Sequence, residues 1–350
     1  MQSYFFLNHE QYIKRCLEIS KSGIGTTRPN PSVGAVLVVD SKIIGEGFTS
    51  PYGGNHAEVN AIDAVKDQEL LKKATMYVTL EPCNHIGKTP PCTELIINSG
   101  IKKVVIGCID ANSIVSGKGI KRLHNAGCEV VVGVMEKECK EHHKRFFTFH
   151  TKQRPYIILK WAETSNGFIA PKTKDKQAPV WITNEISRQM VHKWRSEEHS
   201  ILVGTNTVLD DNPKLNVRHW KGENPIRIVI DKELKIPTDM KVYDTSVKTI
   251  FINESLQVKK DNIVFETIDF SKPIAAQICK LLFDYKIQSV IIEGGTKTLQ
   301  TFIDENLWDE ARVFKSEVRF IEGVSAPKLN CSRFTEEIIN KDCLKTFIND

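Results

Sequence analysis

No apolar run in this 350-residue chain reaches the roughly 18 residues that a membrane-crossing helix needs. A membrane partner is therefore not expected. Met1–Arg15 lacks the basic, apolar and small-residue order of a signal peptide, so the cytoplasm is the expected compartment. A disulfide framework is missing too. The nine cysteines are odd in number and spread along the chain. In a reducing compartment each is buried, reactive or metal-bound. There are no low-complexity tracts and no repeats at solenoid periods. The formal charge is only +5, and lysines and arginines are scattered. A channel for polynucleotides shows a basic stripe studded with aromatics, which is absent here. No nucleic-acid partner is expected, and a small anionic substrate fits the mild positive balance.

What is present is an ordinary globular composition, 41% hydrophobic and 26% charged. The length suggests two domains. In the first half, helical spacing predicts helices over His9–Ser22, from His56 onward, over Thr93–Ser99, Ile120–Ala126 and Glu136–Phe149. Strands are predicted over Val33–Val39, Lys42–Gly47, Ala74–Thr79, Lys103–Gly107 and Glu129–Val134, with a turn at Asp40-Ser41. Lys152–Pro155 breaks the pattern, which sets domains of 1–150 and 151–350. The alternation then restarts. Strands are predicted over Tyr156–Trp161, Ser200–Val203, Arg227–Ile230, Thr249–Ile252 and Ser289–Ile292. Helices are predicted over Asn184–Trp194, Ile274–Asp284 and Lys297–Glu305. Alternating elements imply an α/β fold, with a sandwich in the first half.

The first half carries a pattern of soft metal ligands. His56-Ala57-Glu58 opens a predicted helix, and Pro82-Cys83 and Pro91-Cys92 follow a predicted strand. Zinc takes imidazole and thiolate readily, and a catalytic site keeps a fourth position for water. Water on zinc loses a proton near neutral pH. Glu58 is two residues from His56, close enough to move that proton without being a ligand. His56, Cys83 and Cys92 are the candidate ligands and Glu58 the candidate catalytic residue. Zinc nucleobase deaminases share His-x-Glu and Pro-Cys, but with two residues between the cysteines. Here eight residues intervene. A closed structural site, with His85 as fourth ligand, is the competing reading.

Two weaker patterns lie in the second half. Val290–Ile292 runs into Glu293-Gly294-Gly295 and then a helix, whose free N–H groups suit a phosphate. Arg188 and Arg195 lie two helical turns apart and could clamp a phosphate together.

Several stretches resemble a known family. Asn30-Pro31-Ser32-Val33-Gly34, His56-Ala57-Glu58 and the segment Glu81–Cys92 look like the deaminase half of the bifunctional riboflavin-biosynthesis proteins. Arg154-Pro155-Tyr156, Trp181-Ile182-Thr183, Asp211-Asn212-Pro213 and Glu293-Gly294-Gly295 look like their reductase half. The resemblance implies a cytidine-deaminase-like α/β/α sandwich followed by a dihydrofolate-reductase-like α/β domain. It implies zinc-dependent deamination of 2,5-diamino-6-ribosylamino-4(3H)-pyrimidinone 5′-phosphate, then NADPH-dependent reduction of its ribosyl group to ribityl. By the same resemblance, Asn30, His85, Lys88, Asp110 and Asn112 contact the deaminase substrate. Ala162, Trp181, Thr207, Asp211 and the run Gly295, Thr296, Lys297, Thr298, Leu299, Gln300, Thr301 border NADPH. Arg195, Leu215, Arg218 and Glu293 border the reductase substrate. A homo-oligomer is expected.

The chain also departs from the family pattern. Gly45-Glu46-Gly47 leads to Phe48-Thr49, where the family has a histidine. Asp110-Ala111-Asn112-Ser113 replaces an Asp-Pro-Asn-Pro run. Asn166 stands where the family has aspartate, and an amide cannot serve as a carboxylate acid or base. Val313–Glu317 lacks the usual Ala-Pro strand end. Asn166 motivates an alternative, a deaminase with a degenerate reductase half.

Overall fold

The computed structural model describes residues 2–85, 90–112 and 115–349, with side chains from residue 9. It divides into two compact units, Met1–Gln153 and Arg154–Asp350.

The first unit runs α1 Gln2–Ser20, β1 Gly34–Val39, β2 Lys42–Phe48, α2 Ala57–Asp63, β3 Thr75–Leu80 and α3 Cys92–Asn98. It continues with β4 Lys103–Cys108, α4 Lys118–Asn125, β5 Glu129–Val132, α5 Glu136–His142 and α6 Lys144–Lys152. Its sheet has the order β2-β1-β3-β4-β5, with β1 antiparallel to β2 and β3, and β3, β4 and β5 parallel. The central strands are apolar on both faces because helices cover both. Ala35, Val36 and Leu37 on β1, and Val104, Val105 and Ile106 on β4, are fully buried. Asp40 and Ser41 both take positive φ, the two-residue hairpin turn that matches strand twist. Gly45 and Gly47 lie inside β2. A Cβ on Gly47 would sit 2.4 Å from the Ala61 backbone nitrogen, so the bare backbone lets α2 pack flush on the strand.

One predicted helix is broken. Glu136–Phe149 becomes α5 and α6, parted at His143 with φ −91° and ψ 13°. The flanking rings are anchored to the sheet side of the unit. His142 Nε2 lies 2.8 Å from the Ser32 carbonyl, and His143 Nε2 lies 3.1 Å from Thr79 Oγ1.

The second unit runs β6 Tyr156–Glu163, β7 Phe168–Pro171, α7 Glu185–Glu197, β8 Ser200–Gly204, α8 Thr205–Asp211, β9 Ile226–Ile230 and β10 Thr249–Asn253. Then come β11 Val258–Lys260, β12 Ile263–Thr267, α9 Ile274–Asp284, β13 Ser289–Ile292, α10 Thr296–Asp304, β14 Glu310–Lys315, β15 Gly323–Ser325, β16 Phe334–Ile339 and β17 Asp342–Ile348. Ten strands form one sheet, β11-β12-β10-β9-β8-β13-β6-β14-β17-β16, and β7 pairs with β15 apart from it. The seven strands from β12 to β14 are mutually parallel. Antiparallel β11 borders one side, and the β16–β17 hairpin the other. The loops that follow β6, β8 and β13 leave neighbouring strands at one edge, where open α/β sheets bind ligands.

The sequence reading misses α8 and the strands β7, β11, β12 and β14 to β17. The edge pieces carry no alternation to read, since all of β11 and five of six residues of β16 are exposed. Glu310 and Arg312 on β14 break its apolar pattern, yet both are buried because they bond each other at 2.6 Å. Among the described residues, no helix is long and apolar enough to cross a membrane.

Candidate active sites

His56 is the N-cap of α2, in extended conformation, so its ring leaves the helix axis and α2 begins directly behind it. Cys83 follows β3 on a loop, and Cys92 is the first residue of α3. The Cys92 N–H donates to Cys83 Sγ at 3.4 Å, and the Thr93 N–H to the Cys83 carbonyl at 3.2 Å. His56 Nδ1 lies 3.5 Å from Cys83 Sγ and 3.3 Å from Cys92 Sγ. The three ligand atoms lie within 4.8 Å of one another. Two sulfurs and one imidazole nitrogen, drawn together from separate elements, fit zinc and leave a position for water. The Cys83 thiol is pulled down to about 4, first by its hydrogen bond with Cys92. Cys92 is pushed up by the same partner and by burial. The exposed His85 is not in the group, so it does not close a structural four-ligand site.

Glu58 lies in the first turn of α2 and is only 4% exposed. Burial pushes its carboxyl up to about 7, helped by Cys83. A carboxyl titrating there can both take and return a proton at neutral pH.

The substrate residues expected around this centre are on loops. Asn30 precedes β1, and its backbone closes a turn with Thr27. Asp110 and Asn112 follow β4, and the Asn112 N–H donates to Asp110 Oδ1 at 2.6 Å. Burial raises the Asp110 carboxyl to about 6. Lys88 lies outside the described residues. In the Phe48-Thr49 pair after the Gly45-Glu46-Gly47 turn, Thr49 is buried, and its hydroxyl accepts from the Val33 N–H at 3.0 Å. Sequence reasoning missed Glu81, a buried carboxylate that accepts four backbone N–H groups.

In the second unit Glu293 leaves the end of β13, and Arg195 comes from α7. Arg195 grips the carboxylate through two bonds, Nε to Oε1 at 2.9 Å and Nη2 to Oε2 at 2.7 Å. Lys160 Nζ from β6 lies 3.8 Å from Oε2. Burial alone would raise Glu293, but Arg195 and Lys160 outweigh it and hold the carboxyl at about 2. Burial pushes the Lys160 ammonium and the nearby His192 down, His192 to about 4. The Arg218 N–H donates to His192 Nδ1 at 3.3 Å. Lys160 and His192 carried no signal in the sequence, being one lysine in an apolar strand and one histidine in a charged helix.

The β13–α10 turn is a tight cradle. A Cβ on Gly294 would lie 2.8 Å from the Val203 Cα, and one on Gly204 2.6 Å from Thr298 Oγ1. Gly295, with φ +48°, is the N-cap of α10 and faces Thr207 across the turn. Bare backbone beside a helix N-terminus fits the pyrophosphate of a dinucleotide. Thr296 donates to the Ser325 carbonyl. Thr301 Oγ1 donates to the Lys297 carbonyl at 2.9 Å, and Gln300 bonds Asp304 and the Lys328 N–H. Leu299 and Leu215 are buried in apolar clusters, so their side chains face the core. Ala162 is half-buried on β6, Asp211 is paired with Lys174, and Trp181 is exposed.

Arg188 and Arg195 do not form one clamp. Arg188 donates to the Thr183 carbonyl at 2.6 Å and lies over the Trp181 ring at 4.9 Å, while Arg195 is committed to Glu293. Asn166 also has defined partners. Its Nδ2 donates to the Phe320 carbonyl at 2.7 Å, and its Oδ1 accepts from Thr164 at 2.9 Å.

Comparison with known proteins agrees in both halves. Residues 7–108 match the cytidine and deoxycytidylate deaminase zinc-binding region, and residues 155–316 match the RibD C-terminal domain. Riboflavin biosynthesis protein RibD of Aquifex aeolicus is 42% identical over 335 residues, covering 94% of this chain and 92% of the relative. That of Synechocystis sp. is 43% identical over 328 residues, covering 92% and 87%. A crystal structure from Thermotoga maritima, described as a diaminohydroxyphosphoribosylaminopyrimidine deaminase/5-amino-6-(5-phosphoribosylamino)uracil reductase, superposes with a TM-score of 0.89. It is 36% identical and covers 99% of this chain and 100% of its own. Nothing in these likenesses favours a deaminase with a degenerate second half. With a deaminase zinc region in one unit and a RibD reductase domain in the other, the chain belongs to the RibD family of bifunctional riboflavin-biosynthesis proteins.

Proposed function

We propose that this chain deaminates 2,5-diamino-6-ribosylamino-4(3H)-pyrimidinone 5′-phosphate and then reduces its ribosyl group to ribityl with NADPH. Residues 1–150 perform the first step and residues 151–350 the second. The observation that carries the reading is the convergence of His56, Cys83 and Cys92 within 4.8 Å beside the buried Glu58.

His56, Cys83 and Cys92 hold zinc, which when bound makes water acidic enough to react near neutral pH. Glu58 takes the proton of the attacking water at its carboxylate. It then delivers a proton to the departing amine, which leaves as ammonia. Asn30 reads the pyrimidine edge with its amide, and Lys88 meets the phosphate as a point charge. His85, Asp110 and Asn112 complete the contacts to this substrate.

In the second unit, NADPH supplies the hydride for the ribose C1′. Ala162, Trp181, Thr207, Asp211 and Gly295–Thr301 border the cofactor, with the free N–H groups of α10 toward its phosphates. Arg195, Leu215, Arg218 and Glu293 border the sugar and its phosphate. The protein acts in the cytoplasm, a reading supported by its free cysteines. It works as a homo-oligomer, a reading supported by exposed Phe334 and Ile338 on the edge strand β16.

The test supplies purified, zinc-loaded protein with the diaminopyrimidine phosphate and NADPH, and follows product mass and NADPH absorbance. Both steps proceed in the wild type. Glu58→Ala slows deamination by about 100- to 10,000-fold, the usual weight of a positioned proton carrier. Deamination without NADPH oxidation refutes the second activity. A Glu58→Ala variant that deaminates at the wild-type rate refutes the proton carrier.

A further inference from the structure

We infer that Glu81 is a positioning residue for the deaminase, setting Asp110 and the start of α4 against the loop that carries Cys83. This rests on the deaminase reading above. Glu81 lies between the end of β3 and Pro82-Cys83 and is 3% exposed. A carboxylate so buried needs partners. It has four, all backbone N–H groups, from Asp110 and from the start of α4. Those of Asp110 and Gly117 donate to Oε2 at 3.3 and 2.9 Å. Those of Gly119 and Ile120 donate to Oε1 at 2.9 and 3.3 Å.

The arrangement solves a local problem of α4. Its N-cap is Gly117, which has no side chain to receive the orphan N–H groups of the first turn. Glu81 receives them instead, and its charge faces the positive end of the helix. The two backbones also touch, since a Cβ on Gly119 would lie 2.2 Å from the Pro82 carbonyl oxygen. Asp110, held directly, and Asn112, whose N–H donates to Asp110 Oδ1 at 2.6 Å, are proposed above to meet the substrate. One carboxylate therefore fixes the spacing between the Cys83 loop and these two residues.

Glu81→Gln tests this, because the amide keeps the size but turns N–H groups toward N–H donors. The expected result is a KM for the diaminopyrimidine phosphate raised about tenfold, equivalent to about 1.4 kcal/mol. The deaminase kcat stays within about threefold, and zinc stays at about one per chain. NADPH oxidation with the deaminated substrate is unchanged, which reports an intact chain. Glu81→Asp, a shorter carboxylate, recovers part of the KM. An unchanged KM in Glu81→Gln overturns the inference. So does loss of zinc or of NADPH oxidation in step with deamination, since Glu81 then serves the fold rather than substrate placement. If the wild type itself does not deaminate, the deaminase reading falls and takes this inference with it.

Discussion

Replacing Arg195 by leucine removes the fork that holds Glu293 and leaves Lys160 as the ion-pair partner of a buried carboxylate. The magnitude follows from the carboxyl's position. Lowering it from 4.5 to about 2 corresponds to about 3 kcal/mol of stability at neutral pH. Its sign is that of a depressed acid. The stability is present above pH 4.5 and is lost as pH falls toward 2. The same arithmetic leaves less than half of it at pH 3. Lys160 keeps part of this attraction in the variant, so Arg195→Leu costs about 2–3 kcal/mol at pH 7 and less in acid. The assay is urea unfolding followed by tryptophan fluorescence. All five tryptophans, Trp161, Trp181, Trp194, Trp220 and Trp308, lie in the second unit, so the signal reports that unit. A cost below about 0.5 kcal/mol, or one that does not shrink between pH 7 and pH 4, refutes the reasoning.

Cys83→Ser removes one soft ligand from a three-ligand set, and bound zinc measured by metal analysis after dialysis falls from about one per chain to well below that. Retention of full zinc after dialysis against a chelator speaks against the ligand set. Gly294→Ala places a methyl 2.8 Å from the Val203 backbone, where no side chain can yield. It costs about 1–3 kcal/mol in the same fluorescence assay and weakens NADPH binding measured by titration. An alanine variant with wild-type stability and NADPH affinity shows that the cradle is looser than described.

The candidate zinc centre was legible because its chemistry is carried by rare residue types. His56, Cys83 and Cys92, with Glu58 beside the histidine, form a pattern that chance seldom produces, and the structure brings the three ligands together. The buried strands were legible for a related reason. Ile201–Val203 and Val290–Ile292 are apolar without interruption because helices cover both faces of a parallel sheet. The β16–β17 hairpin was not legible, since exposed β16 owes its place to backbone pairing with β17, which in turn pairs with β14, and shows no apolar rhythm. The break at His143 was hidden likewise. A continuous helical pattern runs through it, and only the partners of the two histidine rings, Ser32 and Thr79, mark the interruption.

By itself, then, the sequence determined the α/β class and singled out His56, Cys83 and Cys92, the group that could hold a metal ion. Each of these is written in local spacing or in scarce residue types. The tertiary structure alone decided which ordinary acids and bases count. Glu81 looks like any glutamate until Asp110 and the start of α4 turn four N–H groups toward it. Lys160, Arg195 and Glu293 are scattered charges until β6, α7 and β13 bring them together out of water. Burial and long-range partners set what a charge does, and neither can be read from neighbours along the chain.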